Sequence, residues 1–113
     1  MNIKLVFTFI LMIAINFFIF ADPKQSSSWS EYQGFISWDA AKSKCANLGM
    51  RLPKRDELES AFKAGVTESW KKDGVFYWLS DIRSEFVAYD FLISTGEVSN
   101  DLKYKLRRTR CIK

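Results

Sequence analysis

Six basic side chains crowd the C-terminal end of the chain, and their types suit them to bind a negatively charged ligand. Asp101 is the nearest acid, and the six lie in the last eleven residues: Lys103, Lys105, Arg107, Arg108, Arg110 and Lys113. Arginine guanidinium groups pair bidentately with sulfate, phosphate and carboxylate. The run therefore predicts a surface for an anionic or sulfated glycan, a lipid head group or another envelope polymer. The alternative is a solvated edge strand whose charges prevent pairing with other strands.

Catalytic chemistry has few groups to work with in this sequence. The 113 residues contain no histidine, which argues against Ser-His and Cys-His nucleophilic catalysis and the common zinc sites. Carboxylate pairs such as Asp56 with Glu59 have helical spacing on a polar face, where water solvates them. Asn100-Asp101 reads as a turn pair, far short of the roughly 6–8 oxygen ligands of a calcium site. We therefore expect no enzymatic activity, no metal site and no cofactor.

Whether the two cysteines, Cys45 and Cys111, form a disulfide depends on the compartment in which the chain resides. Residues 1–21 have the order of a secretory signal peptide: Lys4 supplies a positive charge, an apolar run follows, and Ala21 is the small residue at the cut. In an oxidising compartment two cysteines favour one disulfide, and two separate thiols are the alternative. A Cys45–Cys111 bridge leaves no thiolate nucleophile.

Export places the protein in the periplasm, at the cell surface or outside the cell. An uncleaved N-terminal membrane anchor is the alternative, because bulky Phe17, Phe18 and Phe20 lie close to the cut. Contact with a membrane is then limited to this segment. The net charge of +4 is mild for a nucleic-acid-binding domain, and export also argues against nucleic acid as a partner.

The rest of the chain divides into a polar linker at 22–33 and one domain at 34–113. The linker is rich in serine, and residues 31–36 include a short first strand. Ser37 is a good N-cap for a first helix that ends at Gly49. The apolar residues of this helix fall on one face: Trp38, Ala41, Cys45 and Leu48.

A second helix is predicted from about Lys54 to Ala64, and an alternating pattern follows it. Residues 66–76 are polar and contain a turn. Strands are predicted at 77–80, 85–93, 97–99 and 109–112, with Asn100-Asp101 as a turn. Two helices followed by an antiparallel meander indicate an α+β domain, in which the disulfide ties the first helix to the last strand.

The motif residues of this domain also form a family pattern. They are Trp38, Ala41, Cys45 and Gly49, then Arg51-Leu52-Pro53 with Glu57-Leu58, then Tyr77-Trp78 with Ser80, and finally Arg110-Cys111-Ile112-Lys113. This pattern resembles the C-terminal domain family of bacterial collagen-like adhesins (the Lcl C-terminal domain). It is similar to the Fibrobacter major paralogous domains, and both look like distant relatives of the C-type-lectin-like and formylglycine-generating-enzyme fold. The resemblance implies a C-type-lectin-like fold and a role in binding or adhesion.

The chain departs from the family pattern at three positions. Met50 stands where the family has Trp, Lys54 where it has Thr, and Leu79 interrupts its Tyr-Trp-Ser-Ser motif. The reactive cysteines of the formylglycine-generating relatives are also missing. The motif residues are best explained as structural: Trp38, Leu52, Trp78 and Phe91 as core, and Arg51 as the partner of a carboxylate such as Glu57.

A second hypothesis starts from aromatic residues that no periodic core pattern explains. Trp29, Tyr32 and Trp70 lie in polar segments of a chain that is 16% aromatic. An exposed cluster of them would mark a protein partner, and packing beneath a loop is the alternative. The sequence thus favours an exported, non-catalytic binding or adhesion module, with a structural or protein-interaction component of the cell envelope as the alternative.

Overall fold

A computed structural model of the protein describes residues 28–113. The predicted signal peptide at 1–21 and the first part of the predicted linker, 22–27, lie outside the described residues. Three helices and a five-stranded sheet make up the domain, which confirms the α+β class. The elements are β1 (Gly34–Ile36), α1 (Trp38–Asn47), α2 (Arg55–Lys63), a 3₁₀ helix (Val66–Asp73), β2 (Phe76–Ile82), β3 (Val87–Leu92), β4 (Glu97–Leu102) and β5 (Arg107–Thr109).

Helix α1 begins and ends where the sequence predicts. The Ser37 hydroxyl accepts a hydrogen bond from the Ala40 N–H at 3.4 Å, and Gly49 has the left-handed φ of 72° that terminates the helix. Trp38, Ala41 and Cys45 are buried against the sheet. Leu48 was expected on the same face but is 50% exposed, because it forms the C-cap, where the helical spacing ends.

Helix α2 is one residue shorter at each end than predicted, and a third helix follows it. The Glu57 carboxylate accepts the Lys54 N–H at 2.8 Å, so the helix start is capped although Lys54 has no hydroxyl. The prediction missed the 3₁₀ helix, because its polar sequence shows only two apolar anchors, Val66 and Trp70. Burial of Trp70 and Thr67 holds this segment on the domain.

The strand order in the sheet is β1-β5-β2-β3-β4. Strands β2, β3 and β4 form the predicted antiparallel meander. Strand β5 lies between β1 and β2, antiparallel to the first and parallel to the second. The prediction of a wholly antiparallel meander is therefore wrong in its last strand, and β5 is not an edge strand.

The chain beyond β5 explains why this strand returns to the middle of the sheet. Cys111 is bonded to Cys45 of α1, and Ile112 pairs with both Trp29 and Arg51. These contacts draw the C-terminal segment toward the N-terminal half of the domain. Such contacts join residues distant in sequence, so the local pattern does not predict them.

Several strand boundaries also differ from the prediction: β2 is longer than the predicted 77–80, and β3 is shorter than the predicted 85–93. Asn100-Asp101 lies within β4 rather than in a turn, and β5 covers residues 107–109 rather than 109–112. The Asp101 side chain suits a strand here because its carboxylate accepts from the Arg107 guanidinium and from the Leu102 N–H.

The sheet carries a hydrophobic cluster on each face, because successive strand residues point to opposite sides. The α1-face cluster contains Trp38, Ala41, Cys45, Leu52, Trp78, Ala88 and Cys111. The α2-face cluster contains Leu58, Ala61, Trp70, Tyr77, Leu79, Phe91 and Ile93. Helix α1 therefore packs on the face of Trp78, and α2 with the 3₁₀ helix packs on the face of Tyr77.

The predicted disulfide is confirmed. The Cys45 and Cys111 Cα atoms are 5.5 Å apart, and the bridge spans 66 residues of sequence. Both cysteines are fully buried in the α1-face cluster, so the bond is part of the core. None of the helices in residues 28–113 has the length and apolar character needed to cross a membrane.

The segment just before β1 lies along the C-terminal end of the domain. The Ser30 N–H donates to the Cys111 C=O at 2.8 Å, and the Gln33 N–H donates to the Thr109 C=O at 2.9 Å. The Lys113 N–H donates to the Ser28 C=O at 3.2 Å. The first and last described residues are therefore neighbours at one end of the domain.

Candidate ligand-binding cleft

An open cleft of about 720 Å³ lies where three segments meet: the start of α1, the β2–β3 turn and the β4–β5 connection. Its lining is mixed, with two aromatic rings, one aliphatic side chain and four polar or charged groups. The lining residues are Ser37, Asp39, Glu85, Phe86, Leu102, Lys103 and Tyr104.

The order of the strands produces this cleft. Because β5 lies beyond β2 and β3 from β4, residues 103–106 must carry the chain back past both strands. The connection passes beside the β2–β3 turn, where the Lys103 N–H donates to the Phe86 C=O at 2.9 Å. The Lys103 C=O in turn accepts from the Trp38 N–H at 2.9 Å. Two backbone hydrogen bonds thus hold the three segments in fixed positions.

The aromatic rings of the cleft are the most exposed large hydrophobic side chains in the described residues. Phe86 is 68% exposed and Tyr104 is 71% exposed. Single exposed apolar residues are common on soluble proteins, but these two line the same cleft beside polar groups. A concave site with aromatic walls and a few polar groups is the usual form of a binding site for a small organic ligand.

Trp38, the first residue of α1, lies beside Lys103 of the cleft lining. Its indole N–H donates to the Leu79 C=O at 2.8 Å, and its side chain is almost fully buried, so the ring is held firmly. The Lys103 Nζ lies 4.4 Å from the ring centroid and the Lys42 Nζ lies 5.4 Å from it. Two ammonium groups are therefore placed around one fixed indole.

The basic run that the sequence singles out does not form one surface. On strand β5, Arg107 points to the α1 face, where its Nε donates to Asp90 at 2.9 Å and its Nη2 pairs with Asp101. Asp90 is fully buried and also accepts from the Ser99 hydroxyl. Arg107 is thus the central cation of an internal network and is not free to take a ligand.

Arg108 and Arg110 point to the opposite face of the sheet. The Arg108 guanidinium lies 4.3 Å from the Phe35 ring centroid, and its Nε donates to the Asp73 C=O. Arg110 pairs with the Asp73 carboxylate at 3.0 Å and lies 4.8 Å from the Trp70 ring centroid. Both arginines hold the end of the 3₁₀ helix against β5.

The three lysines of the run lie in two different places. Lys103 lines the cleft, and exposed Lys105 follows it in the same connection. Exposed Lys113 lies beside Ser28, at the end of the domain where the first and last described residues meet. The structure therefore brings Lys103 and Lys105 to the cleft end and separates them from the other four basic residues.

The motif residues behind the family resemblance have structural contacts. Arg51 forms a bidentate pair with Glu57, with nitrogen–oxygen distances of 2.8 and 2.7 Å, as the sequence predicts. Leu52 and Pro53 are buried. The Trp78 indole N–H donates to the Ile36 C=O at 2.9 Å.

Neighbouring groups and burial shift the pKa values of two motif residues, Glu57 and Tyr77. The hydrogen bond from Arg51 lowers the pKa of the Glu57 carboxyl below its ordinary value, against the opposing effect of partial burial. Burial raises the pKa of Tyr77, and the nearby Arg110 charge opposes that rise. The Tyr77 hydroxyl donates to the Trp70 C=O at 3.1 Å, which fixes the 3₁₀ helix to the sheet.

The aromatic residues of the polar segments pack on each other. The Trp29 and Trp70 rings form an edge-to-face pair with centroids 5.0 Å apart, and Trp70 is only 4% exposed. Trp29 and Trp70 therefore pack within the domain, which is the alternative to an exposed aromatic patch that binds a protein partner.

The residues that sequence reasoning missed are Phe86 and Tyr104. Both are aromatic residues inside otherwise polar turns, Ser84-Glu85-Phe86 and Lys103-Tyr104-Lys105. That local contrast was a usable signal, but only the strand order brings the two turns together.

No family model matches the sequence, and no curated protein matches it significantly. Across residues 28–113, no three histidine, cysteine, aspartate or glutamate side chains are grouped so as to hold a metal ion. The geometry of the cleft is therefore the main guide to function.

Proposed function

We propose that the chain is an exported, non-catalytic binding module that takes a glycan of the cell envelope or cell surface in the cleft between the β2–β3 turn and the β4–β5 connection. The observation that carries this proposal is the pair of exposed rings, Phe86 and Tyr104, lining one cleft. A sugar ring presents an apolar C–H face and a rim of hydroxyl groups. Aromatic rings match the face, and the polar groups of Ser37, Asp39 and Glu85 match the hydroxyls.

The fixed backbone of the cleft supports a binding role. The hydrogen bonds of Lys103 to Phe86 and Trp38 hold both loops before a ligand arrives. A site that is ordered in advance loses less conformational entropy on binding, which raises affinity. The buried Cys45–Cys111 bridge adds to this order because it anchors α1, whose first turn lines the cleft.

Export and a C-type-lectin-like relationship belong to the same proposal. The signal-peptide order of residues 1–21 and the disulfide both suit an oxidising compartment outside the cytoplasm. The resemblance to the C-terminal domain of collagen-like adhesins suits binding at a surface. An anionic or sulfated glycan stays the proposed ligand class, with Lys103 as the basic residue that lines the cleft.

The alternative role, a structural or protein-interaction component of the envelope, has weaker support. It rests on Trp29, Tyr32 and Trp70, of which Trp29 and Trp70 pack on each other. A protein partner would now have to use Phe86 and Tyr104, and it would be recognised by complex formation without glycan binding.

The test is a glycan-binding measurement on the exported protein and on a Phe86→Ala/Tyr104→Ala double variant. We expect the wild-type protein to bind glycans on an array. The double variant should bind them at least about tenfold more weakly, equivalent to about 1.4 kcal/mol of binding free energy. Phe35→Ala is the matched control, because Phe35 is also a partly exposed ring but lies beneath Arg108 on the other face. Equal binding by wild type and the double variant would refute the proposal.

A further inference from the structure

We infer that Arg107 is a positioning residue for the cleft, because its guanidinium closes the β4–β5 connection and thereby holds the wall that carries Tyr104. This rests on the proposed function, since it assigns a residue that orders the same site without lining it. The connection, residues 103–106, leaves β4 after Leu102 and enters β5 at Arg107. Leu102, Lys103 and Tyr104 all line the cleft, so one side of the site depends on this segment.

The Tyr104 ring lies between two fixed points of the connection. On one side, the backbone of Lys103 is hydrogen-bonded to the β2–β3 turn and to the start of α1. On the other side, the Arg107 Nη1 donates to the Leu106 C=O at 2.8 Å. Tyr104 is 71% exposed, so packing against its ring contributes little to its position. The position of the ring therefore depends on both points.

Asp101 carries the clamp across to β4. Its carboxylate accepts from the Arg107 Nη2 and from the Leu102 N–H. The pair joins the end of β4 to the first residue of β5 and so closes the connection at its base. The Arg107 and Asp101 side chains are only 20% and 30% exposed, so solvent screens this pair less than a pair at the open surface.

Asp90 ties the clamp to the core. This fully buried carboxylate of β3 accepts from the Arg107 Nε at 2.9 Å, and the guanidinium carbon lies 5.1 Å from the Phe76 ring centroid. Each guanidinium nitrogen thus has its own acceptor: Asp90, the Leu106 C=O or Asp101. A planar arginine fork holds three acceptors in one fixed geometry, and a lysine ammonium on a flexible stem does not.

Ligand affinity should depend on this clamp. A sugar that stacks on the Tyr104 ring needs the connection in its ordered position. The apparent affinity falls in proportion to the fraction of molecules in which that position is occupied. A variant whose ordered fraction drops to about one third therefore binds about threefold more weakly, although the rest of the domain stays folded.

The experiment compares the wild-type protein with Asp101→Asn and Arg107→Lys. The first variant removes the ion pair across the connection and leaves the Asp90–Arg107 pair. The second keeps a positive charge opposite Asp90 and removes the fork. Hydrogen exchange is followed at the Lys103 and Lys105 amides, which are hydrogen-bonded in the wild-type connection. We expect both to exchange at least about tenfold faster in each variant, with exchange in α2 unchanged.

Affinity for a sulfated heparin-type oligosaccharide is the second measurement. We expect each variant to bind it at least about threefold more weakly. The sign of the change is informative for Asp101→Asn. Removing a negative charge raises the affinity for an anionic glycan if long-range electrostatics alone is at work, and lowers it if the carboxylate holds the cleft wall.

Two matched controls change the same network or the same strand without touching the connection. Ser99→Ala removes the other side-chain hydrogen bond to Asp90. Arg108→Lys removes a guanidinium from the next residue of β5, which points to the opposite face toward Phe35. Neither should change exchange at residues 103–106 or glycan affinity. Far-ultraviolet circular dichroism and melting temperature confirm that each variant is folded.

The outcomes separate this inference from the proposed function. If the wild-type protein binds the glycan and both clamp variants match it in exchange or in affinity, the inference is wrong and the proposed function stands. A lower melting temperature with unchanged affinity also overturns it, because the clamp then only stabilises the fold. If no glycan binds the wild-type protein, the proposed function fails and the role of Arg107 in binding fails with it.

Discussion

The two faces of the sheet are stabilised in different ways. On the α1 face, Trp38 and Trp78 pack with the small residues Ala41 and Ala88 around the Cys45–Cys111 bond, and the buried Asp90–Arg107 pair adds an ionic contact. On the α2 face, large side chains interlock. Phe62 meets Phe91 edge-to-face with centroids 6.0 Å apart, and Trp70 lies 5.5 Å from Tyr77.

This difference shows that, in a small domain, one face can supply much of the folding free energy while the other fixes the geometry of a site. Aromatic packing on the α2 face removes much apolar area from water, which is the main source of folding free energy. The covalent and ionic contacts of the α1 face join particular atoms of α1, β3, β4 and the C-terminal segment. The start of α1 lines the cleft, so the contacts that fix this helix are next to residues that need fixed positions.

The largest expected effect comes from removing the covalent link of the α1 face. The Cys45→Ala/Cys111→Ala double variant should lose about 4 kcal/mol of unfolding free energy, because its unfolded chain is no longer closed across 66 residues. Urea denaturation followed by tryptophan fluorescence measures the change. A loss below about 1 kcal/mol would show that the α1 face does not depend on the bridge.

The corresponding change on the α2 face is Leu58→Ala. Leu58 is fully buried, so its truncation should cost about 3 kcal/mol through lost contacts and a cavity. Leu48→Ala, at a half-exposed position on α1, is the control and should change stability by less than about 0.5 kcal/mol. If the two faces are energetically separate, the Leu58 and cysteine effects should add. A coupling free energy above about 1 kcal/mol between the two substitutions would show that the two faces act as one energetic unit.

A smaller effect is expected at the buried ion pair of the α1 face. Asp90→Asn keeps the shape but removes the charge opposite Arg107, and it should cost about 2 kcal/mol. The exposed Glu97→Gln change on the neighbouring strand is the control and should be nearly neutral. Hydrogen exchange should show loss of protection in β4 and β5 rather than in α2. Loss of protection in α2 would mean that the pair supports the whole sheet.

The smallest effect concerns the Arg51–Glu57 pair, which joins the start of α2 to the segment between α1 and α2. The folded pKa of Glu57 is lowered, so its contribution to stability is present above the unfolded pKa of about 4.3 and is lost as pH falls through the folded value. The side chains are partly exposed, so we expect less than about 1 kcal/mol. Glu57→Gln should remove this part of the acid dependence of unfolding, with Asp56→Asn as control. An unchanged pH profile would contradict the assignment.

The sequence predicts those parts of the fold that depend on neighbours along the chain. Helix α1 is correct at both ends because Ser37 and Gly49 act on adjacent backbone groups. The place of β5 depends on Cys111 and Ile112 meeting residues far away in sequence, so periodicity carries no information about it. The same reason explains the cleft, since Phe86 and Tyr104 become neighbours only through the return of the chain to β5.

The basic run shows a different limit of sequence reasoning. Strand alternation alone separates Arg107 from Arg108 and Arg110, and that rule was available from the sequence. The partners Asp90, Asp101 and Asp73 were not, because each comes from a different element. A dense charge run therefore says little about a ligand until its internal partners are known.

The pairing of the first and last described residues has a mechanical consequence. Ser30 is hydrogen-bonded to Cys111, Cys111 is bonded covalently to Cys45, and α1 leads from Cys45 back to the wall of the cleft. A pull applied at Ser28 would therefore be shared between the backbone through β1 and this path of one disulfide and two turns of helix.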